Sequence, residues 1–139
     1  MTQDACQRSA SVADVLSTFV GAEVLRCCVD DALTIECRGV LGVAKVKLDA
    51  DFILCRAETK WTLNSDARPS EIGPAIGLVG LRVASIEIGE DATLEAFFSE
   101  GTTVTVRPDD VHRVWELEAR GRSITCLPEG GLLVTELIR

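Results

Sequence analysis

The chain has 139 residues, enough for one ordinary domain and too few for two independent lobes. Its 14 Lys and Arg stand against 22 Asp and Glu, and the formal charge of −8 excludes a nucleic-acid binder, since phosphate affinity needs clustered cations. Hydrophobic residues at 47% and a mean hydropathy of +0.22 give more apolar surface than so small a core hides, so a homodimer is expected, while 4% aromatics without Tyr argue against a stacking platform for bases or sugars.

The N-terminus, Met1-Thr-Gln-Asp-Ala-Cys-Gln-Arg8, has no basic segment and no long apolar run. A cytoplasmic protein without a membrane partner is the expectation. Residues Ser11 to Val20 carry apolar side chains at spacings of three and four, which predicts a short helix with Ser11 and Asp14 near its start. Val, Ile and Thr number 34 and fall in short alternating runs between Gly and Asp turns, so the rest is mostly β. Predicted strands cover Glu23 to Val29, Leu33 to Arg38, Val43 to Leu48 and Phe52 to Ala57, then a strand holding Trp61-Thr-Leu63. A second short helix is predicted over Pro69 to Val79, shortened by Gly73 and Pro74. Strands follow at Arg82 to Ile88, Thr93 to Phe98, Thr102 to Arg107, Val114 to Glu118, Ser123 to Leu127 and Leu132 to Leu137, with glycine turns at Ser99-Glu-Gly101 and Arg120-Gly-Arg122.

An internal repeat organises these elements. Val20-Gly21-x-x-Val24 recurs 59 residues later as Val79-Gly80-x-x-Val83, Asp31-Ala32-Leu33 is echoed by Asp91-Ala-Thr-Leu94, and Trp61-Thr-Leu63 by Trp115-Glu-Leu117. The fold class is therefore mostly β (α+β): an internally duplicated antiparallel meander, each half preceded by a short helix, packed around one core. The chain reads as a single domain, 1–139, with halves at about 11–63 and 70–137; the hairpin Ser123 to Leu137 reads as an addition to the second half, and Trp61 and Trp115 as equivalent core positions.

The motifs Leu78-Val-Gly80, Asp91-Ala-Thr-Leu94, Ser99-Glu-Gly101, Pro108-Asp109, Trp115-Glu-Leu117 and Cys126-Leu-Pro-Glu-Gly-Gly-Leu132 resemble a bacterial family of small proteins known only as a domain of unknown function. The likeness covers Leu78 to Val134 directly and the first half through the repeat. Such proteins look like partners encoded beside secreted or contact-dependent toxins, so the resemblance implies binding rather than catalysis. The family's glycine run after Pro128 is interrupted here by Glu129, which argues against a ligand-cradling loop.

No residue pattern contradicts that expectation. His112, the only histidine, follows Asp109 and Asp110, but no second His, Cys pair or Glu motif completes a metal or acid–base site, and the bland reading is a solvated loop. Cysteines 6, 27, 28, 37, 55 and 126 lie in apolar runs without C-x2-C spacing and read as reduced, buried thiols rather than metal ligands; Cys27 and Cys28 point to opposite strand faces. Cys126 has no cationic neighbour in sequence to activate it as a nucleophile. The glycines form neither G-x-G-x-x-G nor a P-loop, so no cofactor is expected. Asp30-Asp31 and Asp49-Ala-Asp51 sit at turns that favour Asp for its own hydrogen bonding. What remains is an acidic surface, with Asp30, Asp31, Asp109 and Asp110 as candidate contacts for a basic protein partner. The expectation is a non-enzymatic binding protein, an immunity-type inhibitor of a basic toxin or similar partner. The alternatives are a homo-oligomer binding a small apolar ligand between its halves, and an unrecognised hydrolase.

Overall fold

The computed structural model describes residues 2–30, 32–63, 73–109 and 113–136, and the side chains of these except for 2–10 and 129. The first helix, α1, spans Thr2–Phe19 and so begins well before the predicted segment. Its apolar stripe of Val12, Val15, Leu16 and Phe19 lies in the half that spacing picks out. Strands follow at β1 Glu23–Val29, β2 Leu33–Gly39, β3 Gly42–Leu48, β4 Phe52–Arg56 and β5 Thr59–Leu63. The second helix, α2, is a single turn, Gly73–Ile76, because Pro74 and Gly77 allow little more; the earlier part of its predicted range lies outside the described residues. Then come β6 Val83–Ile88, β7 Leu94–Phe98, β8 Thr102–Val106, β9 Trp115–Ala119, β10 Arg122–Cys126 and β11 Leu132–Glu136.

The strands form two antiparallel sheets, a six-stranded one ordered β1-β2-β3-β9-β10-β11 and a five-stranded one ordered β5-β4-β8-β7-β6. The duplication is plain in this order, but the two halves are not the two sheets. Each half lays down a three-stranded meander, then crosses over and adds its hairpin to the other half's meander: β9-β10 joins β3, and β4-β5 joins β8. Strand register gives the equivalences: Ile35, Val46, Leu117 and Ile124 lie in one row, and Ala96, Val104, Leu54 and Trp61 in the matching row. Both meanders carry a register shift at the same point, between Val24 and Arg26 and between Val83 and Ser85.

Two expectations are corrected by this register. Trp115 stands on β9 at the position that Phe52 holds on β4, whereas Trp61 stands on β5 at the position of Ile124. The shared Trp-x-Leu is thus a coincidence of composition on two non-equivalent strands, one buried and one half-buried. Likewise β10 is the counterpart of β5, and only β11 is an addition.

The Val-Gly-x-x-Val motif has a physical role. Gly21 and Gly80 take φ of +79° and +92°, a conformation that costs a residue with a Cβ. The two turns then clasp each other: Gly21 N donates to Val83 O (2.7 Å) and Gly80 N to Val24 O (2.9 Å), while Val24 N donates to Leu81 O and Val83 N to Ala22 O (both 2.8 Å). This joins the β1 and β6 margins of the two sheets about a pseudo-two-fold axis.

Inner faces of both sheets and the apolar stripe of α1 share one core, in which Phe19, Leu33, Ile35, Leu48, Phe52, Leu54, Leu78, Leu94, Trp115, Leu117 and Ile124 are fully buried. Each such side chain contributes about 1.5–3 kcal/mol by leaving water. The Trp115 indole N–H donates to Ala92 O at 2.9 Å, which satisfies its one polar atom in the interior. Strand β11 lies at the sheet margin, paired with β10 alone among the described residues and with Leu133 40% exposed. No described helix is long and apolar enough to cross a membrane.

Candidate functional site

Strand direction decides where the acidic turns go. Val29, Leu33, Leu48 and Trp115 form the last paired row of the six-stranded sheet, and Ile88, Leu94 and Val106 that of the five-stranded sheet, with Phe52 beginning β4 beside them. Both crossover links, 49–51 and 107–114, leave from these rows, so the β1-β2 turn, the β6-β7 turn and both links meet at one end of the molecule. Asp49 N donates to Val114 O (2.9 Å), tying the two links together, and the Pro128–Gly130 turn packs its Gly130 Cα close to the Asp91 carbonyl. Among the described residues this end carries Asp30, Asp49, Asp51, Glu90, Asp91 and Asp109 against Arg107 and Arg113.

The carboxylates are built in different ways. Asp30 is exposed, and its amide donates to Ala32 O (3.0 Å) to close the turn. Asp91 accepts from Thr93 N (3.1 Å) and from the Thr93 hydroxyl (2.9 Å). Those two hydrogen bonds, with Arg107 adding to them, hold its carboxyl below the usual aspartate range and keep it charged. The same bonds brace Ala92, whose φ of +66° is uncommon for a residue with a Cβ. Asp109 is half-buried on the second link. The structure therefore brings Asp30 and Asp109, far apart in sequence, to one end; Asp31, Asp110 and His112 lie outside the described residues.

The described thiols differ in burial. Cys27, Cys28, Cys37, Cys55 and Cys126 are free cysteines. Cys37 and Cys126 are buried, as expected, but Cys27 and Cys55 are only half-buried and Cys28 is exposed: past the β1 bulge Cys27 pairs with Ile35 on the inner face and Cys28 falls outside. Burial, with Cys28 beside it, pushes the Cys27 thiol up to about 11, and burial pushes Cys37 up to about 12. Burial also raises Cys126, the opposite of what an activated nucleophile needs. Among the described residues no group of three or more His, Cys, Asp or Glu converges to hold a metal.

Sequence reasoning missed two arrangements. On the outer face of the six-stranded sheet, cross-strand rows read Arg26, Glu36, Lys45, Glu118, Ser123 and Thr34, Lys47, Glu116, Thr125, so opposite charges sit side by side. Arg26 is ion-paired with Glu36, whose carboxyl its hydrogen bond lowers. Alternation along β2 sets Thr34 and Glu36 on one face; their partners needed the fold. The second is Arg56, inward-facing on β4 after Phe52 and Leu54, with its Nη2 buried and without a hydrogen-bond partner among the described residues. No curated protein and no solved structure matches the chain. A model of a family of unknown function, DUF6188, matches residues 15–136, most of the length over which the fold has just been described, and the chain belongs to that family.

Proposed function

We propose that this protein is a non-enzymatic binding module that engages a basic partner protein through its acidic end, in the manner of an immunity protein that neutralises a toxin. The observation that carries this reading is the delivery of Asp30, Asp49, Asp51, Glu90, Asp91 and Asp109 to one end by turns and links from both repeats. The chain's charge of −8 supplies the accompanying long-range field. Such a field speeds encounter with a cationic surface and weakens as salt screens it. The resemblance to toxin-associated small proteins supports the same class of role, and the raised thiols give catalysis no support.

A pull-down from the native host, followed by association kinetics against the recovered partner, tests it. Reversing Asp109 with Asp110, or Asp30 with Asp31, to Lys should slow association and flatten its salt dependence while the protein stays folded. If neither double reversal alters binding, the acidic end is solvated surface only.

A homodimer forms a second part of the reading, favoured by Leu133 standing exposed on marginal β11, which carries no Lys, Pro or bulge to discourage pairing along its open side. Sedimentation should show a dimer at micromolar concentration, and Leu133→Lys should shift it to monomer; a monomeric wild-type protein would end this part alone.

A further inference from the structure

The two repeats differ most in chemistry at one interior place. In the first, Ala44 on β3 pairs with Ala119 on β9, both buried, and Thr18 of α1 is buried with its hydroxyl donating to Asp14 O (2.9 Å). The register equivalents in the second are Thr102 on β8, paired with Arg56 on β4, and Gly77, which the 59-residue offset of the clasp places opposite Thr18. Three small or satisfied groups are replaced by a cation, a hydroxyl and a gap.

The replacements fit one another. A Cβ on Gly77 would meet the two terminal guanidinium nitrogens of Arg56 at 2.5 and 2.6 Å, so the guanidinium lies on the Gly77 Cα and occupies the space a side chain would take. Gly77 does not have the positive φ that makes glycine necessary at the clasp turns; here its use is room. Arg56 Nη2 and Thr102 Oγ1 are both buried, and neither has a hydrogen-bond partner among the described residues. Neither the Arg26–Glu36 nor the Arg122–Asp14 ion pair involves Arg56. A buried donor left unsatisfied is costly, and more so when it carries charge, so two on facing positions indicate a missing acceptor. Arg56 as a whole is half-buried rather than fully enclosed.

We propose that Arg56 and Thr102 form a binding site for a small oxyanion, a carboxylate or phosphate group accepted by the guanidinium fork and the threonine hydroxyl. The planar fork presents parallel N–H groups that match two oxygens of such a group, and the hydroxyl adds a further donor from the facing strand. The site lies where β4 ends and β8 begins, at the opposite end of the strands from the acidic turns, so it stands or falls independently of the partner reading.

Thermal melts at constant ionic strength, with sodium acetate or sodium phosphate replacing chloride, test the proposal. The wild-type protein should show a saturable rise of about 2–5 °C with at least one of the two, and whichever gives the larger rise identifies the headgroup. Arg56→Met should lose the rise and, in chloride alone, melt no lower than wild type, because it removes an unpaired buried charge. Gly77→Ala should blunt the response by displacing the guanidinium, whereas Gly131→Ala, where a Cβ meets only ordinary contacts, should keep it. A rise that survives in Arg56→Met, no rise with either anion, or a clear loss of stability for Arg56→Met in chloride would each overturn it; the last would mean that the protein already pairs the charge itself.

Discussion

Laid over one another by register, the two sheets agree on the inside and part company on the outside. Inward positions match closely: Val24 with Val83, Leu33 with Leu94, Val46 with Val104, Leu54 with Leu117. Three of the cysteines belong to this set, since Cys27, Cys37 and Cys126 fall opposite Ile86, Phe98 and Leu63 and act as small apolar fillers. Outward, the charged row Arg26, Glu36, Lys45, Glu118 becomes Ser85, Phe97, Thr103, Cys55. Shape in the core is dictated by packing from both sheets at once, whereas an exposed row answers only to its lateral neighbours. One surface has become an ionic lattice of alternating sign, whereas the other has lost both cations of this row and keeps Glu87 beside Glu95.

The sharpest way to break this comparison is at the aromatic positions. Trp115→Ala should cost about 3–5 kcal/mol in urea unfolding, as should its true counterpart Phe52→Ala, while Trp61→Ala, half-buried on β5, should cost about 1–2 kcal/mol. Equal losses for the two tryptophans would restore the Trp-x-Leu equivalence and undo the register argument. Next in size, Gly21→Ala and Gly80→Ala should each cost about 1–2 kcal/mol, because both sit at positive φ in the same clasp. A large inequality between them would show that the clasp is not symmetric in energy.

How much of this was legible in the chain depends on what set each residue. Val-Gly-x-x-Val could be read because a local backbone requirement fixes the glycine and the spacing together. The alternation of β2 could be read because its pleat alone decides which side chains turn inward. The exchange of hairpins could not, since nothing in Val43 to Leu48 announces that its partner is β9, about half the chain away. Trp-x-Leu misled because identity was matched without strand order: the second half reaches its tryptophan sooner after Val-Gly although its link before β9 is longer than that before β4, so the two tryptophans fall on different strands. The acidic turns were visible individually, and their convergence needed the crossovers. Arg56 was also within reach, as an arginine on the inward beat of Phe52-Ile-Leu-Cys-Arg56, a departure that pattern reading passes over when it attends only to the apolar positions.

The thiols give a smaller, pH-dependent test. Folding raises Cys37 from 9.0 to about 12, so between those values the unfolded chain gives up a proton that the folded one keeps. The contribution is fully present below pH 9 and is lost as pH rises through that window. Cys37→Val should flatten the alkaline limb of urea midpoints measured from pH 8 to 10.5, whereas Cys28→Val, on the exposed face, should leave it unchanged. The smallest expected effect lies on the outer rows. Lys45→Glu sets like charge beside Glu36 and Glu118 and should cost a few tenths of a kcal/mol, fading with salt, while Thr103→Glu at the equivalent place, with Phe97 and Cys55 directly beside it, should show a weaker salt dependence.

The reciprocal hairpins also have a consequence for the order of events when the chain folds. Neither meander can recruit its fourth strand until the other half has been made, because β3 waits for β9 and β4 waits for β8. The central ladder of each sheet is therefore a late, long-loop closure, and topology of this kind is slow, in the millisecond-to-second range typical of β-rich domains. It also binds the halves into one cooperative unit: severing the chain between β5 and α2 would leave two fragments that each lack the middle of a sheet, yet fit together as complementary halves, so that mixing them should restore a structure neither reaches alone.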